Sequence, residues 1–381
     1  MGERIPRFVV PANAGTQCRS DQQPLDSLPA FAGTKGRGND VRRRGLADVV
    51  GFAHLARQMD AIVQRIAAQD GAKLEDLLER NGVSAGDRWR MAIAPHDDYA
   101  YAGYLYPLVL RNVKARTVIV FGVAHKARQL GLEDQLIFEA FTRWSGPYSD
   151  VKVSPLRERL MRTLPKHAWR VSDEMHEIEH SVEAKIPFLQ HYNRSVEIVP
   201  ILVPCMSYAR MDELALPLAN AISAIMTDEG LEWGRDLALV SSTDAVHYGD
   251  QGWGDRDFAF YGCSAEGYAA ALDHEQQIMS DCFDGELQPE RIERFTRYTL
   301  ADHDHREYKW TWCGRYSVPF GLLVGWHLQQ MRRAPSLHGT ILGYATSLDD
   351  QRIEVKDLDG MGVTAPATMR HWVGYAAVGF R

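Results

Sequence analysis

Long apolar runs are missing from this 381-residue chain. None approaches 18 residues, which excludes a transmembrane helix. A signal-peptide core is missing as well, because the early Phe8-Val9-Val10 triplet is cut by Pro11 and polar residues. Arg42-Arg43-Arg44 ahead of GLADVVGFAHLA has the charge of an export signal, but Asp48 and the short apolar run argue against one. Cysteine is scarce and scattered: five residues, at 18, 205, 263, 282 and 313. An odd, dispersed set fits a reducing compartment better than a disulfide framework, so the expected location is cytoplasmic. There is no basic surplus either. Lys and Arg number 43 against 50 Asp and Glu, a net charge of −7 that repels phosphate backbones and sets nucleic acid aside as a partner. Internal repeats and the zincin His-Glu-x-x-His helix are also absent.

What is present is an apolar fraction of 45%, ample for a core. Residues 1–44, rich in Gly, Pro, Arg and Asp and without a period of 2 or 3.6, read as a disordered leader or as translation from an upstream start codon. Residues 45–381 read as one α/β domain. A helical pattern runs from Ala47 to Arg80 and stops at Asn81-Gly82. Strands are expected at Arg90–Ala94, Thr117–Val123, Leu136–Trp144, 151–154, 196–204 and Leu237–Ser242. Two more close the chain, ILGYATSL and WVGYAAVGF. Helices are expected at Tyr101–Arg111, 155–165, 177–192 (kinked or shortened by Pro187), Met211–Met226, 265–283, 289–300 and Ser317–Met331. Residues 250–263, rich in Gly and aromatics, are expected to form a loop over the functional site. Alternating strands and helices without repeats predict a three-layer sandwich around a mostly parallel central sheet.

Three of the strands end in chemistry. APHDDYAYAG follows Met91-Ala92-Ile93-Ala94 and presents His96; TVIVFGVAH ends in His125; LALVSSTDAVHYG releases Asp244 and His247. In open α/β sheets ligands bind outside the carboxyl ends of the strands, so these groups converge on one edge. Cys313, in TWCGR before another apolar helix, is the fourth candidate, as a thiolate beside Arg315 or as a buried structural thiol. Two imidazoles and a thiolate suit Fe(II), Cu or Zn with positions left open. Asp244 and His247, three apart, would share a face on a first helical turn, as an acid/base pair or as a helix cap with an incidental His. Glu179, His180 and Glu183 lie within a turn and a half of one predicted helix, as support behind the ligands or as a solvated face. Asp173, Glu174 and His176 are weaker candidates, and HDHRE at 303–307 reads as a solvated face.

Four motifs in order, APHDDYAYAG, DEMHEIEHSVEAKIPFLQ, SSTDAVHYG and TWCGR, resemble those of the Memo-like family, also known as AmmeMemoRadiSam system protein B. The second is the most specific, matching an EHSLE-x-x-LPFLQ pattern almost position by position. The resemblance covers about residues 47–381. It implies a fold related to the extradiol-type, class III non-haem iron dioxygenases. It further implies metal ligands His96, His125 and Cys313, the Cys standing where those enzymes use a carboxylate, with Asp244 and His247 lining the pocket. Fe(II) is then the expected metal, with Cu or Zn as alternatives. Oxygen or a small-molecule substrate is the expected partner, along with a radical-SAM protein by family association. The chain departs from the pattern at Asp97-Asp98, where Ala-Gly is usual, at Gly-Val-Ala before His125, and at Thr243 within the Ser-Ser-Asp triplet. The Asp pair is expected to add two carboxylates at the pocket mouth. The reading that follows is a redox, dioxygenase-type metalloprotein, with ring cleavage as the nearest enzymatic variant. Two alternatives are a non-catalytic peptide or small-ligand module using the same pocket, and a zinc hydrolase.

Overall fold

The computed structural model describes residues 41–349 and 352–381. The leader expected over residues 1–44 lies outside that range except for its last residues. Those are packed rather than free: Arg43–Arg44 pair with Arg143–Trp144 as parallel strands, and the Arg44 guanidinium is buried against Glu183 and over the Trp144 ring.

The centre of the molecule is built from strands whose two faces are both apolar, the pattern that a covered parallel sheet demands. Val151–Val153, Glu197–Val203, Thr117–Val123, Leu237–Ser242 and Met91–Ala94 lie side by side in that order, all parallel. Trp372–Phe380 adds antiparallel to Met91–Ala94, and His338–Thr346 pairs antiparallel outside it. Successive side chains alternate between two cores, as strand geometry requires. Val118, Val120, Ala238 and Val240 pack under the helices Ala56–Arg80, Leu105–Leu110 and Ile186–Tyr192. Ile119, Phe121, Leu239 and Ile93 pack under Tyr208–Glu229 and Ser317–Arg332. The result is an α/β fold in three layers. Gly321 lets the last of these helices sit close to the sheet, since a Cβ there would stand 2.1 Å from the Ser241 hydroxyl. Among the described residues no helix is long and apolar enough to cross a membrane.

Three expected helices differ, each for a local reason. The helical pattern from Ala47 begins as a helix only at Ala56. Before that, the Asp48 carboxylate accepts the Val50 and Gly51 N–H groups, and Glu183 accepts those of Ala47 and Asp48, so side chains satisfy the backbone instead of a helical ladder. The helix expected over Tyr101–Arg111 is two, Tyr99–Ala102 and Leu105–Leu110. Pro107 has no N–H to bond residue 103 and its ring crowds that carbonyl. The helix expected at 177–192 is broken the same way by Pro187, which opens a final helix at Ile186–Tyr192. An earlier short helix, Asp173–Glu177, ends where the long one was expected to begin, and 178–182 is irregular.

Candidate metal centre

His96, His125 and Asp244 each lie two residues beyond the ends of neighbouring parallel strands, Met91–Ala94, Thr117–Val123 and Leu237–Ser242. Register aligns Ala94 with Ser242, so the three side chains emerge at one edge of the sheet. Cys313 arrives from the opposite side on the turn before Ser317–Arg332. That turn is pinned by an antiparallel bridge between Val246 and Trp312. Beneath it the buried Glu275 carboxylate accepts the Trp310 and Trp312 indole N–H groups at 2.5 and 2.7 Å. Gly314 permits the closest approach: its N–H donates to Thr243 Oγ1 at 3.0 Å, and a Cβ would stand 2.2 Å from that oxygen.

One donor atom from each of His96, His125 and Cys313 falls within 4.8 Å of the others. Asp244, His247 and Cys313 meet the same limit, as do His125, Glu179 and His180. The Cys313 sulfur therefore sits where two of the three clusters overlap. It lies 3.3 Å from His96 Nε2 and accepts the Asp244 backbone N–H at 3.0 Å. Asp244 faces His96 as well, its Oδ1 accepting the His96 N–H at 2.9 Å and its Oδ2 standing 3.3 Å from Nε2. The three imidazoles of His96, His125 and His180 have ring centroids 5.3–5.4 Å apart, and His125 and His180 stack.

The irregular segment 178–182 has a use here. Freed from a helix, Glu179 folds back so that its carboxylate accepts the Ser181 N–H, the His125 N–H and the His125 ring at Nδ1, all within 3.1 Å. Burial alone would raise Glu179, but the cationic His125 and its hydrogen bond hold it below the usual carboxylate range. Burial likewise disfavours a charged His125, and Glu179 and Cys313 outweigh it and raise that imidazole well above its ordinary value. His96 goes the other way: burial, then the Lys185 ammonium, hold it well below. Burial pushes His247 down to about 3, aided by His125. Burial and then Asp97 push Asp244 up to about 8, and burial and then Asp244 raise the Cys313 thiol.

The remaining sequence candidates spread out. Glu183 lies away from the ligand cluster, holding Arg44 and residues 47–48, because the break before Ile186 turns it towards the start of the described chain. His180 closes the imidazole stack. Asp244 and His247 do not share a helical turn. Ala245 lies between them bonded to Gly374, and His247 starts a short strand pairing with Val373. The His247 Nε2 is buried with no hydrogen-bond partner among the described residues. Asp97 accepts the Tyr375 hydroxyl at 2.6 Å, whereas Asp98 turns from the site and accepts Thr364 through both oxygens, so only one carboxylate of the pair faces the pocket side. Asp173 and His176 serve the sheet edge instead, accepting the Ala140 N–H and donating from Nε2 to the Ile137 carbonyl. Two residues escaped sequence reasoning. Ser242 and Lys185 lie directly behind His96, and the signal available was a lone Lys inside the otherwise apolar AKIPFL stretch.

Two imidazoles and a sulfur converging from three elements match the donor chemistry of Fe(II), Cu or Zn, and an unpartnered imidazole nitrogen beside them fits a site completed by something other than protein. A family profile described as Memo-like protein matches residues 64–355. MEMO1 family proteins of Pyrococcus abyssi and Pyrococcus horikoshii are each 24% identical, over 298 and 268 residues. These alignments cover 74% and 68% of this chain and 90% and 81% of the relatives. A third, from Pyrococcus furiosus, is 27% identical over 194 residues, 48% of this chain and 62% of the relative's own length. With the profile spanning most of its length, the chain belongs to the Memo-like family.

Proposed function

We propose that the protein is a mononuclear non-haem metalloprotein with a redox, dioxygenase-type site, Fe(II) being its ion ahead of Cu or Zn. The observation that carries this reading is the convergence of His96, His125 and Cys313 within 4.8 Å, two of them already braced from behind by Ser242 and Glu179. Those three residues would hold the ion, and when bound it supplies one-electron redox chemistry and a Lewis-acid face for oxygen or a small substrate. The chain's own groups do the rest. Glu179 orients His125, and Asp244 positions His96 through its backbone N–H. His247, kept neutral by burial with its Nε2 uncommitted and its ring beside Trp253, offers that nitrogen as a proton acceptor with Asp244 nearby. A radical-SAM protein as physiological partner belongs to the same proposal. X-ray absorption of the anaerobic Fe(II)-loaded protein tests the ligand set. A sulfur scatterer in wild type that vanishes in Cys313→Ser supports it, and nitrogen and oxygen scatterers alone in wild type refute it.

A further inference from the structure

Behind His96 lies a buried polar knot of three groups. The Ser242 Oγ stands 2.8 Å from His96 Nδ1 and 2.7 Å from the Ser181 carbonyl oxygen. The Lys185 Nζ, wholly buried, reaches the same Ser242 Oγ and lies 3.0 Å from the same carbonyl. These contacts leave one arrangement of protons. A carbonyl only accepts, so a hydroxyl oxygen 2.7 Å from it must place its single proton between them. With that proton spent on Ser181, Ser242 presents only lone pairs to its other two neighbours. Lys185 fills one as a donor whether it is an ammonium or an amine, since either form has hydrogens for both oxygens. His96 must fill the other, which puts its ring proton on Nδ1.

We propose that Ser242, clamped by Lys185 and the Ser181 carbonyl, is the positioning residue that fixes His96 as the Nδ1–H tautomer. The Nε2 lone pair is thereby aimed at Cys313 and Asp244, each 3.3 Å away. The knot matters because the Nε2 side leaves the choice open, Asp244 and Cys313 being donors to that nitrogen when protonated and acceptors from it when ionised. With Asp244 ionised, an Nε2–H ring could donate to it and would be useless as a ligand. His125 obtains the same orientation from a carboxylate, Glu179; His96 obtains it from a neutral hydroxyl held by a buried amine. Outer hydrogen bonds of this kind change metal affinity by about 10–100-fold. The purpose of the knot rests on the metal-site reading above, but the tautomer is a property of the metal-free protein.

Long-range ¹H–¹⁵N correlation on the metal-free, ¹⁵N-histidine-labelled chain reads it directly, with His96→Gln identifying the resonance. The expected result is Nδ1–H in wild type, a shift to Nε2–H or a mixture in Ser242→Ala, and a mixture in Lys185→Met, where the two oxygens lose their bridge. Zn(II) affinity by chelator competition should fall about 10–100-fold in Ser242→Ala. An Nε2–H ring in wild type, or an unchanged Nδ1–H ring in Ser242→Ala, overturns the proposal, and an unchanged tautomer in Lys185→Met removes Lys185 from it. A wild-type protein with the Nδ1–H ring but no metal uptake would sink the metalloprotein reading alone.

Discussion

Glu179 shows how much one side chain arranges. Its carboxylate accepts a hydrogen bond from the His125 Nδ1–H, and two backbone N–H groups fix its own position. Glu179→Gln replaces that charged acceptor with an amide whose own donor can face His125. Metal affinity is expected to fall about 10–100-fold with the fold retained, measured by chelator competition and circular dichroism. His176, remote from the ligand cluster, carries a pH dependence. It is fully buried, Nε2 donates to the Ile137 carbonyl, and burial pushes its folded value down to about 3. The unfolded ring, with an ordinary value of about 6.5, takes up a proton first as pH falls, so this residue's stabilisation is present above pH ~6.5 and is lost progressively towards pH ~3. His176→Gln keeps a donor for Ile137 without the titration. Its stability should drop by about 2 kcal/mol less than wild type's between pH 7 and pH 5, read by urea unfolding at each pH.

At the scale of elements, the parallel strands were the legible part and the connections were not. Thr117–Val123 and Leu237–Ser242 were readable to the residue because a strand buried on both faces is a continuous apolar run bounded by polar residues. The 177–192 segment was misread because its apolar spacing is helical while Pro187 and the Glu179 carboxylate decide its backbone. The Asp244–His247 spacing misled in the same way, three residues being one helical turn only where there is a helix. Lys185 and Ser242 were invisible because they are 57 positions apart and meaningful only together. The Arg44–Glu183 pair, both side chains buried, ties the described N-terminal segment to this region. Arg44→Ala leaves the Glu183 carboxylate buried without its cation and should cost about 3–5 kcal/mol. The Arg44→Met/Glu183→Leu double variant, which also orphans the Ala47 and Asp48 N–H groups, should cost less than the sum of its two single changes. Urea midpoints with unchanged slopes check both, and strict additivity of the two single changes contradicts the pairing.

For the molecule as a whole, the sheet is a device for bringing His96, His125 and Asp244 to one edge while a turn pinned by Glu275 delivers Cys313 to meet them. The motifs that resemble the family's are distributed along the chain, and the fold brings them together in space. The proposed chemistry depends on that meeting point holding a metal ion. The direct measurement is metal content after anaerobic purification, wild type beside His96→Ala and Cys313→Ala. Near-stoichiometric iron in wild type, lost from both variants while they remain folded, is the predicted result. Wild-type protein that is metal-free and takes up no added Fe(II), Cu or Zn would contradict it.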